Sequence, residues 1–133
     1  MDKVLDSWAL LAWIQAQPAA PQVRALLEQA ERNVVSVWMS WINIGEVFYL
    51  LARRRGLDAA EQFLARVPSL PLRTVMPEQA DVVQAARLKG TRRISYADAF
   101  GVALAARRKA PLVTGDPEML ALRDVVELEW IGE

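Results

Sequence analysis

Hydrophobic positions along the chain switch between two periods. Short β-branched or aliphatic runs are separated by longer stretches in which apolar residues recur every three or four positions. Val4-Leu5, with the residues before them, predict a short strand ending at Asp6, and Trp8–Ile14 predicts a short apolar helix. Pro18 and Pro21 break the chain, after which Gln22–Arg32 puts Val23, Leu26, Leu27 and Ala30 on one helical face. Val34–Val37 predicts a second strand. Ser40 can cap a helix over Trp41–Arg55 that stops at Gly56. Asp58 opens another helix, to about Arg66, with Ala59, Phe63 and Val67 inward. Leu70–Val75 is a third strand, placed at an edge by Pro71. Pro77 leads into a helix over Glu78–Lys89 closed by Gly90. Tyr96–Arg108 is small and apolar on every side, which predicts a helix running through the interior. Leu112–Thr114 is a fourth strand, Pro117 starts one helical turn, and Val125–Ile131 closes the series as a strand.

Strands alternating with helices predict an α/β three-layer sandwich, a central, largely parallel sheet of four to five short strands flanked by helices. The 133 residues are read as a single domain over 1–133, without repeat, linker or low-complexity tract. With 53% hydrophobic and 24% charged residues, disorder is excluded. No apolar run reaches the ~20 residues of a membrane span, and no basic-then-apolar leader opens the chain, so a cytoplasmic protein with no membrane partner is expected.

The missing residue types narrow the chemistry. The chain has no histidine and no cysteine, which removes Ser-His-Asp and Cys-His catalysis and the usual zinc ligand sets. What is left is carboxylates, hydroxyls, Lys and Arg, or a metal held by oxygen. Four acids share a habit of placement. Asp6 and Asp116 each follow the C-terminal end of a predicted strand, Asp98 sits in the first turn of the interior helix, and Glu46 lies early in Trp41–Arg55. Ligands of open parallel sheets bind outside those strand ends. Four acids meeting there repel unless a cation intervenes, and oxygen-only ligation suits Mg²⁺ or Mn²⁺. Each acid also has a plainer explanation. Asp6 and Asp116 are good helix N-caps, and Ser95-x-x-Asp98 fits a capping box. Glu46, in an apolar helix, needs a partner cation, either a metal or an arginine; metal ligation is the preferred reading.

The chain resembles the PIN-domain ribonucleases, and among them the VapC-like toxins of type II toxin–antitoxin pairs. The resemblance rests on Val4-Leu5-Asp6-Ser7, Ile44-Gly45-Glu46-Val47, Ser95-Tyr96-Ala97-Asp98-Ala99 and Val113-Thr114-Gly115-Asp116, in that order and spacing. It departs from many members at Met119, where they carry an aromatic residue. The resemblance implies that Asp6, Glu46, Asp98 and Asp116 are the catalytic, metal-binding acids and that Ser7 and Thr114 support them. Glu118 is a possible further acid that the motif does not demand. The implied activity is Mg²⁺- or Mn²⁺-dependent endoribonuclease hydrolysis of RNA phosphodiesters, with an acid such as Asp116 assisting. The implied partners are an RNA substrate and a cognate antitoxin.

Sixteen basic and sixteen acidic residues cancel, so the net charge says nothing of nucleic acid. The basic residues are nonetheless clustered. Helix C-termini account for Arg53–Arg55 and Arg107–Lys109, leaving Arg92-Arg93, ahead of the Asp98 helix, as the RNA-binding candidates. Trp8, Trp13, Trp38 and Trp41 flank the first two strands, as core or as the lining of an antitoxin groove. The apolar helix from Trp41 to Leu51 needs cover on two sides, which suggests a homodimer. Other classes remain as alternatives: a PIN nuclease in RNA processing outside a toxin–antitoxin pair, or a non-catalytic α/β interaction module. A phosphoryl-accepting receiver or an aspartyl phosphatase fits poorly, because Asp6-Ser7-Trp8 provides neither paired acids nor Asp-x-Asp.

Overall fold

The computed structural model describes all 133 residues. In chain order the elements are β1 (Asp2–Leu5), α1 (Ser7–Ile14), α2 (Ala20–Glu31), β2 (Ser36–Ser40), α3 (Trp41–Arg55), α4 (Leu57–Arg66), β3 (Arg73–Val75), α5 (Gln79–Thr91), α6 (Tyr96–Arg108), β4 (Leu112–Thr114) and β5 (Leu128–Trp130). Two 3₁₀ segments, Val67–Ser69 and Pro117–Leu122, complete it. The strands form one sheet in the order β3-β2-β1-β4-β5, and every neighbouring pair is parallel.

The pleat decides which layer each strand residue serves, because successive side chains leave opposite faces. On β1, Leu5 joins the core under α1–α4, whereas Val4 joins the one under α5 and α6. On β4, Val113 and Leu112 divide the same way, and on β2, Val37 and Met39 face the first core while Trp38 packs against the second. Both cores are needed because a parallel sheet is covered on both sides. The sandwich expected from the alternating pattern is therefore observed. No helix is long and apolar enough to cross a membrane.

Several sequence expectations shift. The second strand lies at Ser36–Ser40 rather than Val34–Val37; Asn33 takes a left-handed turn and Val34 is exposed, so pairing begins later. Pro21 does not break a helix but sits in the first turn of α2, where its missing N–H costs nothing. On α4, Ala60 rather than Ala59 is buried beside Phe63. Gly90 does not end α5, which runs on to Thr91. Within this chain α3 is covered in part: Ile44, Val47 and Leu51 are buried against α1, α4 and α6, Trp41, Ile42, Phe48 and Leu50 are half-buried, and Gly45 and Tyr49 face outward. The four tryptophans do not line one groove. Trp8, Trp13 and Trp41 pack on the first core, whereas Trp38 lies on the other face under the Arg108 guanidinium, 3.3 Å from the ring centroid.

The β4 end is unusually crowded. A Cβ on Gly115 would overlap the Trp8 ring and come within 2.9 Å of the Gly132 Cα. Gly115→Ala should therefore cost about 1–3 kcal/mol, the usual penalty for overpacking. Gly90→Ala, with nothing near its added methyl, should instead gain about 0.5–1 kcal/mol inside a helix. Chemical denaturation of the two variants should give changes of opposite sign.

Candidate metal centre

The order β3-β2-β1-β4-β5 places β1 and β4 side by side while the chain winds outward from them in both directions. Beyond the carboxyl ends of such a pair lies the crevice where open α/β sheets bind ligands. Asp6 follows β1 and Asp116 follows β4, so two of the four expected acids are delivered there by adjacent strands.

Local hydrogen bonding fixes each acid. Asp6 is fully buried and caps α1, its Oδ1 accepting from the Ala9 N–H at 2.8 Å. Its Oδ2 is buried with no hydrogen-bond partner. Asp116 caps the Pro117–Leu122 turn, Oδ1 accepting from the Glu118 N–H at 3.0 Å, and its own N–H donates to the Thr114 hydroxyl at 3.1 Å. Capping and site membership are thus compatible, since a cap occupies one carboxylate oxygen and leaves the other. At α6 the Ser95 hydroxyl accepts from the Asp98 N–H at 3.0 Å, but no reciprocal bond forms. The contrast is Glu78/Asp81 at α5, where both halves of a capping box are present. The Asp98 carboxylate is therefore not consumed by its own helix end.

Asp98, Asp116 and Glu118 each turn a carboxylate oxygen to the same point, all within 4.8 Å of one another. Asp6 and Glu46 stand outside this triad but within its field. Burial pushes the Asp98 carboxyl up to about 6, aided by the charges of Glu46, Asp116 and Glu118 and opposed by the Ser95 hydroxyl. Burial likewise pushes Asp6 up to about 8; Asp98 and Asp116 add to the rise, while Thr114 and the Ala9 N–H oppose it. Glu46 is half-buried, forms no ion pair, and accepts a hydrogen bond from the Tyr49 hydroxyl at 3.3 Å. The arginine partner considered for it is absent. The five ion pairs, from Lys3, Arg92, Arg107 and Arg108, involve none of these acids.

Three converging carboxylates, an orphaned buried carboxylate oxygen behind them and no protein cation among them fit a hard divalent ion. The donors are all oxygen, as the composition requires.

A residue not singled out in the sequence holds the frame. Asn43 is fully buried on α3; its Nδ2 donates to the Ser7 hydroxyl at 3.1 Å and to the Ala97 carbonyl at 2.9 Å. Ser7 in turn donates to the Asn43 carbonyl at 3.1 Å. One amide thus joins the residue after Asp6, the residue before Asp98 and the helix of Glu46. A Cβ on Gly101 would meet the Asn43 Oδ1 at 3.3 Å, so α6 needs glycine to approach this closely. The visible signal was a lone amide in the apolar run Trp41–Val47. The Arg92-Arg93 pair divides: Arg92 grips Asp124 through two bonds of 2.6 and 2.9 Å, whereas Arg93 is exposed and free of ion pairs.

A doubly wound parallel sheet with an acidic centre at its switch point is the class that fold and site define. The PIN-domain family model matches residues 3–125, and the chain belongs to that family. No curated protein sequence matches it significantly. Among solved structures, it is similar to VapC20 of Mycobacterium tuberculosis, a sarcin-ricin-loop-cleaving toxin, at 20% identity and a TM-score of 0.72, over 90% of this chain and 93% of that one. VapBC2 of Rickettsia felis, bound to a DNA fragment from its promoter, matches at 16% identity and a TM-score of 0.71, over 97% and 98% of the two chains. FitAcB of Neisseria gonorrhoeae matches at 18% identity and a TM-score of 0.69, over 96% of each.

The raised carboxyl groups make stability depend on pH. A carboxyl that holds its proton more tightly when folded stabilises the fold fully below its unfolded value of 3.8, and that contribution is lost as pH rises through about 6 for Asp98 and about 8 for Asp6. The metal-free protein should melt at progressively lower temperature from pH 4.5 to pH 8.5, by roughly 1 kcal/mol or more in all. Mn²⁺ should restore the loss, most strongly at the high-pH end. A Tm that rises with pH under EDTA would refute this. Asn43→Ala, which strands the Ser7 hydroxyl and the Ala97 carbonyl, should cost about 1–3 kcal/mol in a denaturant titration.

Proposed function

We propose that this PIN domain is a divalent-metal-dependent endoribonuclease, acting as the toxin of a toxin–antitoxin pair. The observation that carries the reading is the convergence of Asp98, Asp116 and Glu118 in front of the unpartnered Asp6 Oδ2, with no basic side chain to neutralise them. The similar folds of a toxin that cleaves the sarcin-ricin loop, of a toxin–antitoxin complex of Klebsiella pneumoniae and of a VapBC toxin–antitoxin member of Mycobacterium tuberculosis support it.

Asp98, Asp116 and Glu118 would hold Mg²⁺ or Mn²⁺, with Asp6 and Glu46 completing the negative field. A divalent ion bound there supplies Lewis-acid activation of water and stabilises charge on the phosphate. With no histidine in the chain, the water's proton would be lost through the acidity that the metal confers, helped by an acid such as Asp116. Thr114 orients Asp116 through the backbone, and Ser7, tied to Asn43, holds the start of α1 beside it. With a cation bound, Asp98 and Asp6 would give up their protons, and their burial would then limit screening by bulk water.

An antitoxin partner is supported by a second surface. Trp13, Ile14, Leu51, Phe63 and Leu70 line an apolar groove of about 240 Å³ between α1, α3 and α4, with Arg55 and Arg66 on its rim. An amphipathic helix carrying acidic residues suits that lining.

The purified chain, separated from any antitoxin, should cleave structured RNA with Mg²⁺ or Mn²⁺ and be silent in EDTA. Asp98→Asn and Asp116→Asn should each lower cleavage at least about a hundredfold, the scale on which positioned catalytic groups act, while retaining the fold by circular dichroism. Undiminished cleavage by the Asp6→Asn/Asp98→Asn double variant would remove the site.

A further inference from the structure

One groove adjoins the acids and is not used by the reading above. It is open, about 500 Å³, and is lined by Lys89, Arg93, Ile94, Ser95 and Glu118. Two of these residues belong to the centre already described: Glu118 is one of the three converging acids, and Ser95 caps the helix that carries Asp98. The other polar residues are cations. Lys89 and Arg93 are exposed and form no ion pair. Of the cations beside them, Arg92 is committed to Asp124 at 2.6 Å, while Arg87, earlier on α5, is exposed and unpaired and does not line the groove. A helix C-terminus explains Lys89 near the end of α5, but not Arg93, which lies beyond the last turn in the connection to α6.

The geometry points to Lys89 and Arg93 as the phosphate-binding residues of the substrate strand, leading it along this groove to the acids at Asp98, Asp116 and Glu118. The assignment rests on the nuclease reading and adds the direction from which RNA enters. A polyanion approaching three carboxylates needs cations next to them, and Lys89 and Arg93 line the same open depression as Glu118. An acidic peptide would meet the same cations but would then run into the acids with no reacting group to offer. Arg93 provides a planar fork suited to phosphate oxygens, Lys89 a mobile point charge. Both contact the backbone and not base edges, so they set affinity and register, not sequence.

The test uses the full chain, a short fluorescein-labelled single-stranded RNA, fluorescein-labelled poly-glutamate, and bis(p-nitrophenyl) phosphate, a diester too small to extend along the groove. Binding is read by anisotropy in EDTA over a series of salt concentrations, so it is independent of cleavage. The double variant Lys89→Ala/Arg93→Ala should lose about tenfold or more in RNA affinity, and the slope of log affinity against log salt should become shallower by roughly 1.4, two contacts' worth on a single strand. Its Mn²⁺ affinity and hydrolysis of the small diester should match the wild type. Arg32→Ala, at the opposite end of the sheet, should leave the salt slope unchanged. RNA affinity and salt slope equal to wild type would overturn the assignment, as would a loss confined to poly-glutamate, which would give the groove to a protein partner. A wild type that binds RNA through these two residues but hydrolyses neither substrate would instead sink the nuclease reading and leave the groove standing.

Discussion

Like charges held together without a counter-ion are the constraint on which this structure turns. Parallel strands β1 and β4 end side by side, and the residues that follow them, Asp6 and Asp116, are thereby brought to one crevice with Asp98 and Glu118. Burial disfavours their charged forms and the neighbouring acids add to it, which is why Asp98 and Asp6 hold their protons far above the ordinary carboxylate range. A fold stabilised only for itself would place an arginine there. This chain has sixteen basic residues and sends none of them to the acids.

The surrounding structure keeps those acids from relaxing apart. Caps use one oxygen each of Asp6 and Asp116 and so fix their direction. Asn43 ties α1, α3 and the start of α6 into one unit. Gly115 lets the Trp8 ring close over the turn that carries Asp116, and Gly132 lets the C-terminal segment pass between Gly115 and the Trp130 ring. On the far side, Arg107 bridges α5 to α6 through Asp81, a buried acid that does receive a cation. The difference between Asp81 and Asp98, both buried and both on helices packed together, is the clearest sign that the centre is kept negative for a ligand.

Much of this was legible in the sequence because it depends on local pattern. The succession of strands and helices predicted the layered sheet, Gly56 the stop after α3, and the positions of Asp6 and Asp116 after short apolar runs placed them at strand ends. What was missed depends on tertiary geometry. Whether Ser95-x-x-Asp98 is a complete capping box cannot be told from spacing; at α5 the reciprocal bond forms and at α6 it does not. Glu118 is two residues past Asp116, and the 3₁₀ turn decides that it swings back into the cluster. The apolar girth of α3 hides in the sequence which residues its own chain covers: three helices bury Ile44, Val47 and Leu51 but leave Tyr49 exposed. Arg92 and Arg93 are adjacent in sequence and diverge in space because Asp124, thirty-two residues on, takes only the first.

The central claim is that the acids are gathered to hold a divalent cation. A crystal soaked in Mn²⁺ and measured at the manganese absorption edge tests it without reference to any substrate. The account requires an anomalous peak in contact with Asp98, Asp116 and Glu118 on the side towards Asp6. Full occupancy elsewhere on the surface, with none among these carboxylates, would contradict it.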